Sequence, residues 1–151
     1  MRILIADDEP AHLLLLEMFL KKWGYEVIST DSGGEAFQIL REGNSPRMAI
    51  LDWQLPGMNG IEICRALRWS EERPSTYILL LSARAQKADI LHGMASGADD
   101  YLTKPYHPED LKEKLLAAHK AVESAADIPR FHEGVPGNAA VASGAPLTDR
   151  R

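Results

Sequence analysis

A chain of 151 residues, 45% hydrophobic and 26% charged, has room for one core of ordinary domain size and little left for a second. Its formal charge of -5 argues against a surface built for nucleic acid or anionic lipid, since both need clustered Lys and Arg. The lone Cys64 excludes an internal disulfide, fits a reducing compartment and reads as a small buried residue on a helix.

Asp7 and Asp8 fall where the apolar region of a secretory signal would still be running. Apolar runs such as Leu13 to Leu16 and Tyr77 to Leu81 are far shorter than the ~20 residues that cross a bilayer. A soluble, cytoplasmic chain with no membrane contact is expected.

Short β-branched or aliphatic runs alternate along the chain with stretches of helical spacing. RILIA precedes a helix in which Leu13, Leu16, Leu20 and Trp23 recur at helical intervals. Pro10 suits its first turn, Glu17 can pair with Lys21, and Gly24 ends it. After EVIST, Ser32 and Glu35 have capping-box spacing ahead of Ala36, Ile39 and Leu40. MAILD leads to a helix from about Gly60 to Arg68, and TYILLLS to one from about Gln86 to Ser96, with Gly97 able to supply a left-handed stop. DYLT precedes the last helix, which opens at Pro108 and lines up Leu111, Leu115, Ala118 and Val122.

Such strand and helix pairs with short connections predict right-handed crossovers and a five-stranded parallel sheet covered on both faces, a doubly wound α/β fold. The first, third and fourth runs are almost continuously apolar, as interior strands should be. The second and fifth are shorter or carry Glu26, Asp99 and Asp100, as edges can. This is the flavodoxin-like order 2-1-3-4-5, whose ligand crevice lies beyond the carboxyl ends of strands one and three. Residues 1–123 form the expected domain. Residues 124–151, rich in Ala, Gly and Pro and without periodicity, read as a flexible linker or tail. Scattered Ile128, Phe131, Val135 and Leu147 do not change that reading.

The chemistry gathers at the carboxyl ends of the strands. Asp7 and Asp8 close the first and are followed by Glu9; Asp52 closes the third, Ser82 the fourth, and Lys104 lies just past the fifth. Acids brought together there repel and raise one another's pKa unless a cation neutralises them. A hard divalent metal answers that need, and magnesium, content with few carboxylates plus phosphate oxygens and water, suits so small a ligand set. Alone, Asp8 or Glu9 could simply cap the first helix; the whole constellation at four strand ends is far harder to obtain by chance.

The segments ADDEP, LDWQLPGMNG, LLLSAR and GADDYLTKP resemble, in order and spacing, the four signature blocks of response-regulator receiver domains over residues 1 to about 123. The resemblance implies that Asp52 is the phosphoacceptor, that Asp7 and Asp8 hold magnesium, and that Lys104 contacts the phosphoryl group. It also implies that Ser82 is the switch hydroxyl and Tyr101 the switch aromatic, that the Gln54 carbonyl is a metal ligand, and that Lys104 precedes Pro105 through a cis peptide. On phosphorylation, Ser82 would draw its loop toward the site and the Tyr101 ring would rotate inward. The implied partners are a sensor histidine kinase or histidine phosphotransfer protein upstream and an output domain or downstream protein beyond.

A carboxylate is a competent nucleophile toward a phosphorus centre whose charge is neutralised, and water can clear the acyl phosphate. Ala83 leaves room beside Ser82, which stands where Thr is more frequent. Gln54 and Arg84 occupy positions that in this family influence phosphoryl lifetime. Asn59 with Glu62 resembles a cap, and Trp53 is read as packing near the site in either a structural or a sensing role. His12, His92, His107, His119 and His132 share no ligand spacing and are assigned to surfaces and helix ends.

A phosphatase of the haloacid dehalogenase type would need an acid where Gln54 stands. A flavin module would need a phosphate-binding loop where ADDEP would repel the phosphate. The chain is either a stand-alone receiver or, as the biased tail favours, a fragment of a longer regulator whose output domain lies beyond Arg151.

Overall fold

The computed structural model describes residues 1–69 and 76–127. Its strands are β1 (Arg2–Ala6), β2 (Glu26–Thr30), β3 (Met48–Asp52), β4 (Tyr77–Ser82) and β5 (Asp100–Thr103). The helices are α1 (Pro10–Lys22), α2 (Gly33–Leu40), α3 (Gly60–Trp69), α4 (Lys87–Ala95) and α5 (Pro108–Asp127). The strands form one parallel sheet in the order β2-β1-β3-β4-β5, so the expected fold class and strand order are both observed.

Burial explains the order. β3 is buried throughout, and β1 and β4 at all but their first residue, whereas β2 and β5 keep partly exposed positions. Because side chains alternate across a strand, Leu4, Ala6, Ala49, Leu51, Ile78 and Leu80 face a core shared with Ala36, Leu40, Ile63, Cys64 and Leu67 of α2 and α3. Ile3, Ile5, Ile50, Leu79 and Leu81 are as fully buried on the opposite face. α5 meets the chain just past α1: Lys112 lies 5.8 Å over the Trp23 ring, and the rings of Tyr25 and His119 are 6.2 Å apart.

Local signals act much as their chemistry predicts. Pro10 occupies the first turn of α1, Glu17 lies 3.8 Å from Lys21, and Gly97, with φ +120°, follows α4. The Ser32 cap forms by half: its Oγ accepts the Glu35 N–H at 3.3 Å, but the Glu35 carboxylate accepts from the Thr30 hydroxyl instead of returning to Ser32. At α3 the box is complete, with Asn59 N–H to Glu62 at 2.9 Å and Glu62 N–H to Asn59 at 2.8 Å.

The chain divides into two units, Met1–His119 and Lys120–Arg151. α5 runs on to Asp127, past the expected boundary at 123, through ESAAD, which contains no helix-breaking residue. The rest of the expected tail, 128–151, lies outside the described residues. No helix among those described is long and apolar enough to cross a membrane.

Candidate functional site

Four strands deliver their last residues to one edge of the sheet. β1 hands over to Asp7, whose N–H donates to the Thr30 carbonyl at 3.2 Å. The fifth strand is tied to the fourth by the Lys104 N–H, which donates to the Ser82 carbonyl at 2.8 Å; Lys104 and Pro105 are joined by a cis peptide. Asp52 closes β3 and Ser82 closes β4.

Gly60 sets how closely α3 approaches this edge. A Cβ there would lie 2.6 Å from the Asp52 carbonyl oxygen and 3.0 Å from Leu80, so a larger residue would push the helix off the strand that carries Asp52. Gly57, at φ +85°, makes the turn between them in a conformation that side chains resist.

The structure brings together Asp7, Asp8, Asp52 and Lys104. Lys104 Nζ donates to Asp52 Oδ2 at 2.7 Å and to Asp7 Oδ2 at 3.2 Å. Asp7 and Asp52 are buried and Asp8 is exposed, yet each can offer an oxygen within 4.8 Å of the others'. Three hard oxygen donors at that spacing suit a divalent cation of the magnesium or calcium kind. Gln54 meets the cluster through its backbone, its N–H donating to Asp52 Oδ1 at 3.2 Å. An open groove of about 410 Å³ leads to the edge, bordered by Asp8, Trp53, Gln54, Asn59 and Arg84 among others.

The charges differ in how they are held. Burial pushes the Asp52 carboxyl above its ordinary pKa, and the charge of Asp7 adds to this against the opposing pull of Lys104. Burial acts in the same sense on Asp7, but the His12 hydrogen bond, the Glu9 N–H and Lys104 outweigh it and hold that carboxyl below the usual value. Burial works against the Lys104 charge, while Asp52 and Asp7 more than compensate and keep its pKa raised. Lys104 is thus held as a cation beside an ionised Asp7.

Behind the acids, the Arg84 peptide joins the two residues expected to switch. Its N–H donates to Ser82 Oγ at 3.0 Å, and its carbonyl accepts the Tyr101 hydroxyl at 2.8 Å. Tyr101 is 7% exposed, and its ring fits against Gly93 of α4, where an added Cβ would lie 2.8 and 2.9 Å from two of its carbons. Trp53 is buried under the Arg84 guanidinium, 4.9 Å above its ring, and packs edge-on against His92 and Tyr101 at 5.4 and 6.3 Å.

Sequence reasoning missed His12. Assigned to a surface, it is 12% exposed and places Nδ1 2.5 Å from Asp7 Oδ2. Its Nε2 lies 2.7 Å from the hydroxyl of Tyr106. A histidine five residues after Asp7 was the available signal; its partner 94 residues away left none.

The chain matches the family described as response regulator receiver domain over residues 3–116. It is 39% identical over 116 residues to the phosphate regulon transcriptional regulatory protein PhoB of Rhizobium meliloti, covering 77% of this chain and 51% of that protein. It is 37% identical over 125 residues to the alkaline phosphatase synthesis transcriptional regulatory protein PhoP of Bacillus subtilis, covering 83% and 51%. The chain thus spans about half the length of these curated relatives. Among solved structures, a CheY-like response regulator receiver domain protein from Methanospirillum hungatei aligns with a TM-score of 0.72 at 30% identity, over 82% of this chain and 97% of that one.

Proposed function

This chain belongs to the response regulator receiver domain family, and from that premise we propose that Asp52 is its phosphoacceptor, with Asp7, Asp8 and the Gln54 carbonyl completing a magnesium site around it. Receiver domains are signalling domains and not enzymes in the ordinary sense, so the phosphoryl group is the signal itself. The observation that carries the assignment is Lys104, whose ammonium lies 2.7 Å from Asp52 and 3.2 Å from Asp7. Asp7 shares that cation, but Asp52 is the nearer of the two at 2.7 Å and closes β3, the central strand of the sheet.

An oxygen of Asp52 forms the new bond to phosphorus as the bond from phosphorus to a donor histidine nitrogen breaks, the nitrogen keeping the electron pair. Magnesium, when bound, supplies charge neutralisation for the phosphoryl oxygens. Lys104 can only donate hydrogen bonds, so its role is to hold an oxygen carrying transferred charge. Ser82 supplies a hydroxyl beside it. Water later adds to phosphorus, the bond to Asp52 breaks, and carboxylate and inorganic phosphate return; the chain assists both its own labelling and its own clearing.

The donor is a sensor histidine kinase or histidine phosphotransfer protein. Ser82 and Tyr101, joined through the Arg84 peptide, carry the change to α4, β5 and the start of α5, where an output domain or downstream protein reads it in the cytoplasm. Residues 1–123 serve as the receiver and 124–151 as a linker or tail into which the last turn of α5 extends.

Incubation with a small phosphodonor and magnesium, followed by mass spectrometry, tests the assignment. One phosphoryl group is expected on the native chain and none on Asp52→Asn. Undiminished labelling of that variant overturns it.

A further inference from the structure

Asp7 is 1% exposed, so its charge depends on protein donors in place of water. Its Oδ1 accepts the Glu9 N–H at 2.9 Å, and its Oδ2 is shared by Lys104 at 3.2 Å and His12 Nδ1 at 2.5 Å. An ionised carboxylate only accepts, so His12 must carry its proton on Nδ1. In the neutral ring Nε2 is then an acceptor, and the Tyr106 hydroxyl, 2.7 Å away, is its donor. Burial, with Asp7's charge adding to it, pushes the Tyr106 phenol up to about 12, so it keeps the proton it donates. The two rings meet edge to face, 5.7 Å apart at 69°.

We propose that His12, held by Tyr106, is a positioning residue for Asp7: the pair is a brace that fixes the carboxylate for the divalent cation, an inference that rests on the magnesium site proposed above. His12 donates to Asp7 from the α1 side, while Lys104 bridges Asp7 and Asp52 from the other. Tyr106 fixes both the tautomer and the plane of the ring. Partners of this kind, behind a metal ligand, set affinity by restricting the ligand's orientation.

Three variants separate this role from simple packing. Asn at position 12 can place an amide N–H near the position of Nδ1, Leu fills the space without a donor, and Tyr106→Phe removes only the hydroxyl. Magnesium is titrated calorimetrically into the metal-free chain, after melting curves establish that each variant folds. His12→Leu is expected to weaken binding about tenfold or more, and His12→Asn to restore most of the loss. Native affinity in His12→Leu, or an equal loss in a folded His12→Asn, overturns the brace.

Nitrogen NMR of the imidazole, in alkaline buffer where the ring is neutral, provides a readout without metal. The Nδ1–H tautomer is expected in the native chain and a mixture in Tyr106→Phe. A native Nε2–H tautomer overturns the inference and leaves the phosphoacceptor standing; failure of the native chain to bind magnesium overturns the metal reading itself.

Discussion

Gly93→Ala tests whether the Tyr101 ring is held inside by a space in α4. A Cβ at position 93 would lie 2.8 and 2.9 Å from two carbons of that ring and 3.0 Å from a methyl of Leu80. Opposing effects follow. Ala is better than Gly in a helix interior by about 1 kcal/mol, whereas forcing a methyl into a filled core costs roughly 1 to 3 kcal/mol. The ring can escape outward, but it then forfeits its bond to the Arg84 carbonyl, about 1 kcal/mol, together with its contact with Trp53. The expected net change is a loss of about zero to 2 kcal/mol.

The sign is best read from a double-mutant cycle in urea. With Tyr101→Ala in place the obstructing ring is gone, and Gly93→Ala should become stabilising by up to about 1 kcal/mol. Stabilisation of similar size in both backgrounds would refute the packing argument, because it would mean that the ring does not occupy the space beside Gly93 in solution.

Asp52→Asn should stabilise the metal-free chain at neutral pH. The Asp52 carboxyl titrates above its ordinary value because of burial and Asp7, so the folded state binds its proton more tightly than the unfolded state, and the ionised form subtracts from stability. The gain in urea midpoint should shrink as pH falls through the folded and then the unfolded pKa; a gain that grows on acidification contradicts the assignment. Magnesium affinity should collapse in Asp8→Asn and change little in Glu9→Gln, since Asp8 and not Glu9 shares the cluster with Asp7 and Asp52; calorimetry giving the reverse order would move the metal site. Ser82→Ala should still be phosphorylated, while the amide shifts of residues 83 to 106 on adding a stable phosphoryl mimic largely disappear. Persistence of those shifts in full would place the switch elsewhere.

The strands were legible because interior parallel strands must be apolar on both faces, which leaves MAILD and YILLLS no alternative partner. The acids and Lys104 were legible for a different reason: chemistry narrows the residue types at a phosphoryl-transfer site to very few, and strand ends fix where they meet. Neither constraint reaches His12. Many residue types can donate to a carboxylate, so a donor has no signature until its acceptor is placed. Tyr106 reaches His12 from the connection between β5 and α5, although β1 and β5 are separated in the sheet by two strands.

Gly93 was illegible for the opposite reason. Within a helix a glycine reads as a local weakness, and the ring that uses the space comes from the following strand. The run HLLLLEMF shows what spacing adds to hydrophobicity. Leu16 and Leu20, on the stripe read from helical intervals, are fully buried, while Leu14, Leu15 and Met18 remain 59%, 42% and 61% exposed. Periodicity locates an element, and residue type locates reactive groups. The donors and spaces that tune those groups are set by tertiary neighbours, which is why variants at His12, Tyr106 and Gly93 should alter metal affinity and switching while Asp52 itself remains intact.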